Sequence, residues 1–352
     1  MTQGIVDLRS DTVTRPTPAM RRAMAEAELG DDVYREDPTV NRLQERAAEI
    51  FNREASLFVP SGTMGNQTAL KVQTQPGREV ICEARAHIYN HEMGMMGAFS
   101  GVVPRTIVAD DGIMRWEQIE PLIRRRSDHQ ASTGLVELEN TSNLAGGSVY
   151  PIAISDEICD GAHQRGLPVH LDGARIFNAS VALGCSVVEL TRKFDSVMFC
   201  LSKGLGAPVG SMVVGSKDFI EEARLVRKML GGGMRQAGIL AAAGLVALEE
   251  SPRRLYIDHE NARFLAERLA EIPGVKIDPA KVTTNILFFE ISASGLTAQE
   301  VSKRLSAQGV LANPTSASTI RMVTHFDVDR AGCERAIITV RDILAVAQPA
   351  RA

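Results

Sequence analysis

The feature that most constrains this 352-residue chain is an alternation of short apolar runs with segments of helical periodicity. Runs rich in Val, Ile, Leu and Phe recur at 56–60, 79–83, 102–108, 134–139, 168–172 and 195–200. Between them, apolar residues repeat at helical spacing at 63–75, 115–126 and 152–165. Repeated strand–helix units predict an α/β fold, in which helices cover both faces of a mostly parallel sheet in three layers.

Two departures from this alternation shape the predicted topology. The segment GSMVVG at 210–215 follows the preceding run too closely for a parallel crossover, so its strand is expected to be antiparallel or at a sheet edge. From about residue 253 a different order begins, with a helix at 254–272, a strand at 284–291, a helix at 297–308, strands near 309–312 and 319–324, and a helix at 328–347. We therefore predict a large domain at 17–252 and a small α+β domain from 1–16 and 253–352.

Composition argues against several classes of partner. The formal net charge is −4, and the basic run at 124–126 is interpreted as the solvated end of a predicted helix, so no nucleic-acid partner is expected. The N-terminal residues lack an apolar signal core, and no apolar run approaches the roughly 20 residues that span a bilayer. The five scattered cysteines indicate neither a disulfide framework nor a metal site. A cytoplasmic protein without membrane contact or metal is the expectation.

Two motifs follow predicted strands and carry polar chemistry. In PSGTMGN at 60–66, an apolar strand runs into Gly62 and Thr63 just where a helix begins, and free backbone N–H groups there can bind a phosphate. An ordinary strand–turn–helix with Thr63 as the N-cap is the alternative. In VHLDGARIF at 169–177, the strand delivers Asp172 to the edge where α/β sheets bind ligands. A plain helix-capping aspartate is the alternative, and His170 is interpreted as a core histidine.

Two further motifs contribute cations. Lys203 follows an almost uncharged strand and precedes a glycine-rich loop, where partial desolvation would favour a nucleophilic amine suited to Schiff-base chemistry. With Asp172 at the end of a neighbouring strand, this is the arrangement that gives pyridoxal 5′-phosphate (PLP) a lysine and a partner for its ring nitrogen. In GGGMRQ at 231–236, three glycines let the chain fold tightly beside an anion at Arg235. A surface lysine and a helix-to-helix turn are the alternatives.

Taken together, these motifs resemble those of the threonine aldolases, PLP enzymes of fold type I, over nearly the whole chain. The resemblance rests on DLRSDTVTRP at 7–16, GDDVY at 30–34, DPTVN at 37–41, LENTSN at 138–143, IRMVTH at 320–325 and the four motifs above. It implies a PLP-binding large domain and a reaction that cleaves L-threonine or L-allo-threonine to glycine and an aldehyde. It also implies homotetramers, built as dimers of dimers, with active sites shared between chains.

The resemblance also implies a role for individual residues. Lys203 would form the Schiff base with PLP, and Asp172 would bind the ring nitrogen. The remaining cofactor contacts would come from Gly62 and Thr63 at the phosphate, His87 stacked on the ring, Arg175 near the 3′ oxygen, and Arg235 and Lys228 reaching a neighbouring subunit's phosphate. The substrate would be held by Ser10 and Arg321 at its carboxylate, with Arg175 and Ser142 also lining its site.

Two positions depart from the family pattern. Ser142 stands where the family has a histidine thought to contact the substrate β-hydroxyl, and His91 stands where the family more often has Tyr or Phe. The imidazole has either moved across the pocket or His91 is a surface residue. His87, His91 or a water therefore remain candidates for the catalytic base. An aldolase for a bulkier β-hydroxy amino acid, a β-eliminating or transaminating PLP enzyme, and a PLP-binding regulator are the alternative functions.

Overall fold

The computed structural model describes residues 4–347, with side chains described for 4–345. The chain divides into two compact units, one formed by Pro16–Pro252 and the other by the segments before and after it. No helix among the described residues is long and apolar enough to cross a membrane. We propose that the two predicted domains, residues 17–252 and residues 1–16 with 253–352, each fold as a unit. Residues 1–3 and 348–352 lie outside the described residues.

Strands and helices alternate along the described chain. The strands are β1 Val6–Asp7, β2 Ala55–Val59, β3 Glu79–Glu83, β4 Val103–Ile107, β5 Thr133–Glu139, β6 Val169–Asp172, β7 Ser196–Cys200, β8 Ser211–Gly215, β9 Ile286–Glu290, β10 Val310–Leu311, β11 Asn313–Pro314 and β12 Thr319–Val323. The α-helices are α1 Pro18–Ala25, α2 Pro38–Ile50, α3 Gly62–Gln73, α4 His87–Asn90, α5 Trp116–Ile119, α6 Ile152–Gln164, α7 Ile176–Leu183, α8 Val187–Thr191, α9 Lys217–Met229, α10 Gly238–Glu250, α11 Leu255–Ala270, α12 Ala298–Ala307 and α13 Arg330–Ala347. Each of the six apolar runs of the large unit forms a strand.

The large unit is built on a seven-stranded sheet of order β2-β8-β7-β6-β5-β3-β4. β8 pairs antiparallel with both β2 and β7, while the other neighbours are parallel. The antiparallel direction predicted for 210–215 is therefore right. Its alternative position at a sheet edge is wrong, because β2 returns to pair with the outer side of β8 and covers it.

Helices pack on both faces of this sheet because each strand carries apolar residues on both sides. On one face Met198 and Cys200 of β7 lie against the glycines of α3, where a Cβ on Gly65 would meet Met198 Cγ at 2.6 Å. On the other face Phe199 stacks on Phe51 at the end of α2, with ring centroids 4.6 Å apart. The predicted α/β fold with a mostly parallel sheet is what the chain forms.

The small unit has its own core and two small sheets. β1 pairs with β10 in parallel, and β9, β12 and β11 form an antiparallel sheet. Apolar residues of α11, α12 and α13 are buried against these strands. The strand predicted near 309–312 is the short β10, and the chain changes sheet after Leu311, since β11 begins at Asn313 in the other sheet.

The helix predicted at 115–126 is wrong in its second half. α5 ends at Ile119, and a 3-10 turn continues only to Leu122. Beyond it, Arg124 contacts the start of β5: the amide of Thr133 donates to Arg124 O at 3.0 Å, and the amide of Arg124 donates to Thr133 Oγ1 at 2.9 Å. The arginines at 124–126 therefore belong to a loop and do not end a helix, because the chain turns here to enter the sheet.

A buried ion pair fixes the GDDVY segment to α9. Arg227 is 2 % exposed; its Nη2 lies 2.6 Å from Asp32 Oδ2, and its Nη1 donates to Phe58 O at 2.7 Å. Burial lowers the pKa of Arg227, although the charge of Asp32 opposes the change. An exposed pair, Arg35 with Glu221, joins the same two segments at the surface.

The two ion pairs should differ sharply in their contribution to stability. Asp32→Ala leaves a buried guanidinium without its counter-charge and should lower the free energy of unfolding by about 3–5 kcal/mol. Glu221→Ala, the matched change in the exposed pair, should cost about 1 kcal/mol or less. Urea denaturation of the two variants measures both effects. Similar losses would show that the buried pair has no special role.

Candidate active site

Asp172 and Lys203 lie at one edge of the central sheet. Asp172 ends β6, is 1 % exposed, and stands in register with Glu139 at the end of β5 and with Met198 of β7. Lys203 follows the end of β7 and is half-buried. The lysine lies close enough to His87 for its charge to oppose protonation of that imidazole. The structure thus brings together the three residues that the sequence associated with the cofactor ring.

Asp172 is held by a hydrogen-bond network that runs behind it. Its Oδ1 accepts from the amide of Ala174 at 3.0 Å, and its Oδ2 accepts from Nδ2 of Asn66 at 2.7 Å. Asn66 extends from α3, is fully buried, and also donates to Oε1 of Glu92 at 2.9 Å. Since Nδ2 serves both carboxylates, Oδ1 of Asn66 must be the atom that faces Nε2 of His170, 3.1 Å away.

This geometry determines the protonation of His170. Nε2 must carry a proton, because Asn66 presents an acceptor to it. Burial lowers the pKa of His170 to about 4, so the ring is neutral. Its Nδ1 lies 2.8 Å from Ser196 Oγ, which donates to Gln73 Oε1 at 2.7 Å. The interpretation of His170 as a core histidine agrees with these contacts.

His87 is supported by a buried carboxylate. Its Nδ1 lies 2.8 Å from Oε1 of Glu92, whose other oxygen accepts from Nε2 of Gln67 at 2.6 Å. Burial alone would lower the pKa of His87, but the Glu92 hydrogen bond and the charges of Asp172 and Glu92 outweigh it and raise the pKa. With Nδ1 occupied, Nε2 is the nitrogen left to exchange a proton with another molecule.

The two departures from the family pattern occupy different surroundings. His91 is exposed, and its ring centroid lies 5.4 Å from that of His87. Ser142 is buried, and its amide donates to Ser148 O at 2.9 Å. Gly112 leaves room for its hydroxyl, since a Cβ on that glycine would approach Ser142 Oγ to 2.8 Å.

Glu139 ties the LENTSN segment to His87. One carboxylate oxygen accepts from the amide of Asn143 and the other from the amide of His87, each at 2.7 Å. Burial and the neighbouring charge of Asp172 raise the pKa of Glu139 to about 7. Ser142 and His87 are consequently positioned through one shared side chain.

The predicted phosphate site lies at the start of α3. Ser61, not Thr63, is the N-cap, and its Oγ accepts from the amide of Met64 at 3.2 Å. Gly62 and Thr63 therefore stand in the first turn, where backbone N–H groups have no partner within the helix. A side chain at Gly62 would meet Cys200 Sγ at 3.0 Å, so only the bare backbone fits. Arg175 is buried at the start of α7.

The remaining predicted residues belong to both units. Arg235 and Lys228 are exposed, and Arg235 Nη1 lies 3.4 Å from Asp31 Oδ2. In the small unit Ser10 caps a 3-10 turn, and its Oγ accepts from the amide of Thr12 at 3.2 Å. The strand β12 that carries Arg321 runs beside this segment, because the amide of Val323 donates to Leu8 O at 2.9 Å.

Sequence reasoning missed the supporting side chains Asn66, Gln67, Glu92 and Glu139. Polar residues on the buried face of α3, directly after the PSGT turn, were the available signal for Asn66 and Gln67. His87, Glu92 and Asp172 also bring three potential metal-ligand atoms within 4.8 Å of one another. Those atoms are already joined by hydrogen bonds to each other and to Asn66, so the geometry favours an internal network.

These residues fit a PLP molecule. One α/β sheet carries a carboxylate that can accept from a ring nitrogen, a half-buried lysine and an imidazole near both. It also carries a helix start where no side chain blocks the backbone amides. Asp172, Lys203, His87 and the Gly62–Thr63 amides would hold the ring, the aldehyde carbon and the phosphate. Fold and site together define a PLP-dependent enzyme of fold type I.

Comparison with known proteins narrows this class. The pattern of the beta-eliminating lyase family matches residues 7–292. The chain is 47 % identical to low-specificity L-threonine aldolase 1 of Arabidopsis thaliana, over 93 % of both chains. It is 45 % identical to a low-specificity L-threonine aldolase of Escherichia coli K12, over 93 % of this chain and 95 % of that one. The solved threonine aldolase of Leishmania major has the same fold, with a TM-score of 0.81 at 20 % identity over 96 % of this chain and 99 % of the other.

The chain belongs to the threonine aldolases of the beta-eliminating lyase family. The predicted family, fold class, carbon–carbon lyase class and PLP cofactor are thereby confirmed. The roles assigned to single residues stay predictions, as do the absence of a metal and of a nucleic-acid partner.

Lys203 should be the residue that holds the cofactor. Lys203→Ala removes the amine and should abolish both the yellow colour of lysine-bound PLP and turnover. Lys217→Ala, at the exposed start of α9, is the matched control and should keep both. Absorption spectra of the purified variants with added PLP provide the measurement. A yellow, active Lys203→Ala variant would assign the role to another lysine.

Proposed function

We propose that this protein cleaves the Cα–Cβ bond of L-threonine, L-allo-threonine and related β-hydroxy-α-amino acids, releasing glycine and an aldehyde. The observation that carries the proposal is the 45–48 % identity to low-specificity L-threonine aldolases over nearly the whole chain. The edge shared by Asp172 and Lys203 supports it, because the chemistry needs a cation-stabilising carboxylate beside an imine-forming amine.

Product analysis tests the reaction type. The PLP-saturated protein is incubated with L-threonine, L-allo-threonine and phenylserine, and glycine, aldehyde, keto acid and ammonia are measured. Equal amounts of glycine and aldehyde support the aldolase. A keto acid with ammonia would indicate β-elimination, and a keto acid without ammonia would indicate transamination; either would overturn the proposal.

The protein's contribution is to orient the substrate, to take the proton of the β-hydroxyl group and to allow a proton to return to Cα, which gives glycine. When bound, PLP would supply the ring that accepts the electron pair of the breaking bond. Asp172, supplied with hydrogen bonds by Asn66 and Ala174, would stabilise a positive charge on the ring nitrogen. Lys203 would supply the amine that holds the cofactor. Ser10 and Arg321 are proposed to bind the substrate carboxylate, which sets the breaking bond perpendicular to the ring.

His87 is the residue we favour for removing the β-hydroxyl proton. Glu92 accepts from Nδ1, so it fixes the tautomer and leaves Nε2 as the basic atom, the arrangement that activates histidine bases elsewhere. His91 is exposed, whereas His87 is held against the buried Glu92, although the two rings lie near each other. His91→Ala is accordingly expected to change the rate by no more than about twofold, against about 10²-fold for loss of a true base.

Ser142 bears on the range of substrates. A serine is shorter than the family's histidine and is a poor base near neutral pH. We therefore infer weak discrimination between L-threonine and L-allo-threonine, and activity on bulkier substrates such as phenylserine. Glu139 supports this inference, because it holds the segment of Ser142 beside His87.

The proposed assembly is a homotetramer in which Arg235 and Lys228 reach the phosphate region of a neighbouring subunit. Both side chains are exposed at one end of α9 and the loop that follows, where they are available to another chain. A fully active monomer would exclude this arrangement. The cytoplasmic location stays a prediction of the sequence.

Removing the charge of Glu92 should shift the pH dependence of kcat. A base acts in its neutral form, so activity falls as the pH drops through its pKa. Glu92 raises the pKa of His87, so Glu92→Gln should move the acidic limb of the kcat profile to lower pH and reduce kcat. Gln67 can rotate its amide to keep the contact, since its Oε1 has no hydrogen-bond partner in the described chain. His91→Ala is the control. If the acidic limb of the kcat profile stays at the same pH in Glu92→Gln, His87 is not the base.

Arg321 should recognise the substrate rather than the cofactor. Lysine keeps the positive charge but loses the planar pair of donors that fits a carboxylate. Arg321→Lys should therefore raise KM and slow cleavage while the absorption of the bound cofactor stays unchanged. Arg304→Lys on α12 is the matched control. Near-normal kinetics in Arg321→Lys would contradict the assignment.

A further inference from the structure

A second polar pocket lies at the amino-terminal edge of the central sheet. It has a volume of about 420 Å³ and is lined by Arg78, Arg124, Arg125, Arg126 and Arg165. These arginines precede β3, precede β5 and follow α6, so three turns at the start of the parallel strands contribute them. Asp172 and Lys203 are at the opposite ends of the strands, and the seven residues of β5 span roughly 20 Å between the two edges.

Part of this positive charge is neutralised by the buried Glu79 and the exposed Glu120. Glu79 is 4 % exposed; its Oε1 accepts from Arg105 at 2.7 Å and from Arg124 at 3.0 Å, and its Oε2 accepts from Arg105 at 2.7 Å. Arg165 pairs with Glu120. Glu79 is therefore shared by two guanidinium groups, those of Arg105 and Arg124.

The other three arginines keep their charge without a counter-ion. Arg78, Arg125 and Arg126 form no ion pair within residues 4–345, and Asp128 in the same loop pairs with none of them. Arg78 and Arg124, which precedes Arg125, both contact the start of β5. The stem of Arg78 lies on Gly134, where a Cβ would approach Arg78 Cβ to 3.0 Å, and the amide of Arg124 donates to Thr133 Oγ1 at 2.9 Å. Like charges so close together repel unless an anion joins them.

We propose that this pocket binds a small molecule with two or more adjacent phosphate groups. Guanidinium groups pair with phosphate through two parallel hydrogen bonds, and three uncompensated ones match the charge of such a ligand. The volume is within the range of small-molecule sites. The lining contains Ile123 and Leu167 but no aromatic ring, so it offers no surface on which a nucleic-acid base could stack. The ligand is recognised by its phosphates alone.

Calorimetry with tripolyphosphate tests the proposal on the PLP-saturated enzyme, whose own phosphate site is filled. Saturable binding of one tripolyphosphate per chain is expected, weakening with added salt. Arg78→Ala/Arg126→Ala should bind at least about tenfold more weakly, the effect of losing one charge-assisted hydrogen bond or more. Arg304→Ala/Arg341→Ala, which removes the same charge from α12 and α13, should bind like the wild type.

Both double variants should keep the cofactor's visible absorption and the aldolase rate, which separates this pocket from the active site. Arg126→Ala alone, at an exposed loop position, gives a milder variant should the double substitution disturb folding. Three results would overturn the proposal: no saturable binding, equal loss of affinity in both double variants, or binding of RNA without binding of tripolyphosphate.

Discussion

Asn66 joins the two carboxylates on which the active site depends. One amide nitrogen, fully buried on α3, donates to Asp172 at 2.7 Å and to Glu92 at 2.9 Å. Without it, two carboxylates would face each other in a region of low dielectric with no donor between them. With it, both carboxylates share one donor, while Glu92 also contacts Nδ1 of His87. The helix that offers its first amides to a phosphate therefore also positions the polar groups of the site.

The same edge of the sheet shows how a cluster of acids is tolerated in a protein interior. Glu137 is fully buried, and burial, reinforced by the charge of Asp172, raises the pKa of its carboxyl well above the ordinary range. Glu139 has a pKa of about 7 and is held by two backbone amides. Burial thus raises the pKa of both carboxyls, and at Glu139 two backbone donors partly offset the effect. A bound cation beside Asp172 would relieve the remaining negative charge.

Prediction from the sequence succeeded where a local pattern decides the structure. The six apolar runs became strands, and α3 and α6 begin and end close to the periodic segments, because apolar burial and capping depend on neighbours in the chain. Prediction failed at 115–126, where the helix stops after Ile119 because Arg124 pairs with Thr133 nine residues later. The prediction also allowed an edge position for β8, because no local signal in the sequence shows that β2 pairs with the outer side of β8.

The sequence by itself determined the fold class, the family, the cofactor and the candidates Lys203, Asp172 and His87, because each rests on a motif that is continuous in the chain. Only the tertiary structure decided that Asn66 bridges Asp172 and Glu92, that Glu92 supports His87, and that Arg78 and Arg126 line one pocket. Asn66, for example, is 26 residues from Glu92 and 106 residues from Asp172 in the sequence. Contacts of that kind leave no periodic trace in a sequence, since they arise from which strands become neighbours in the sheet.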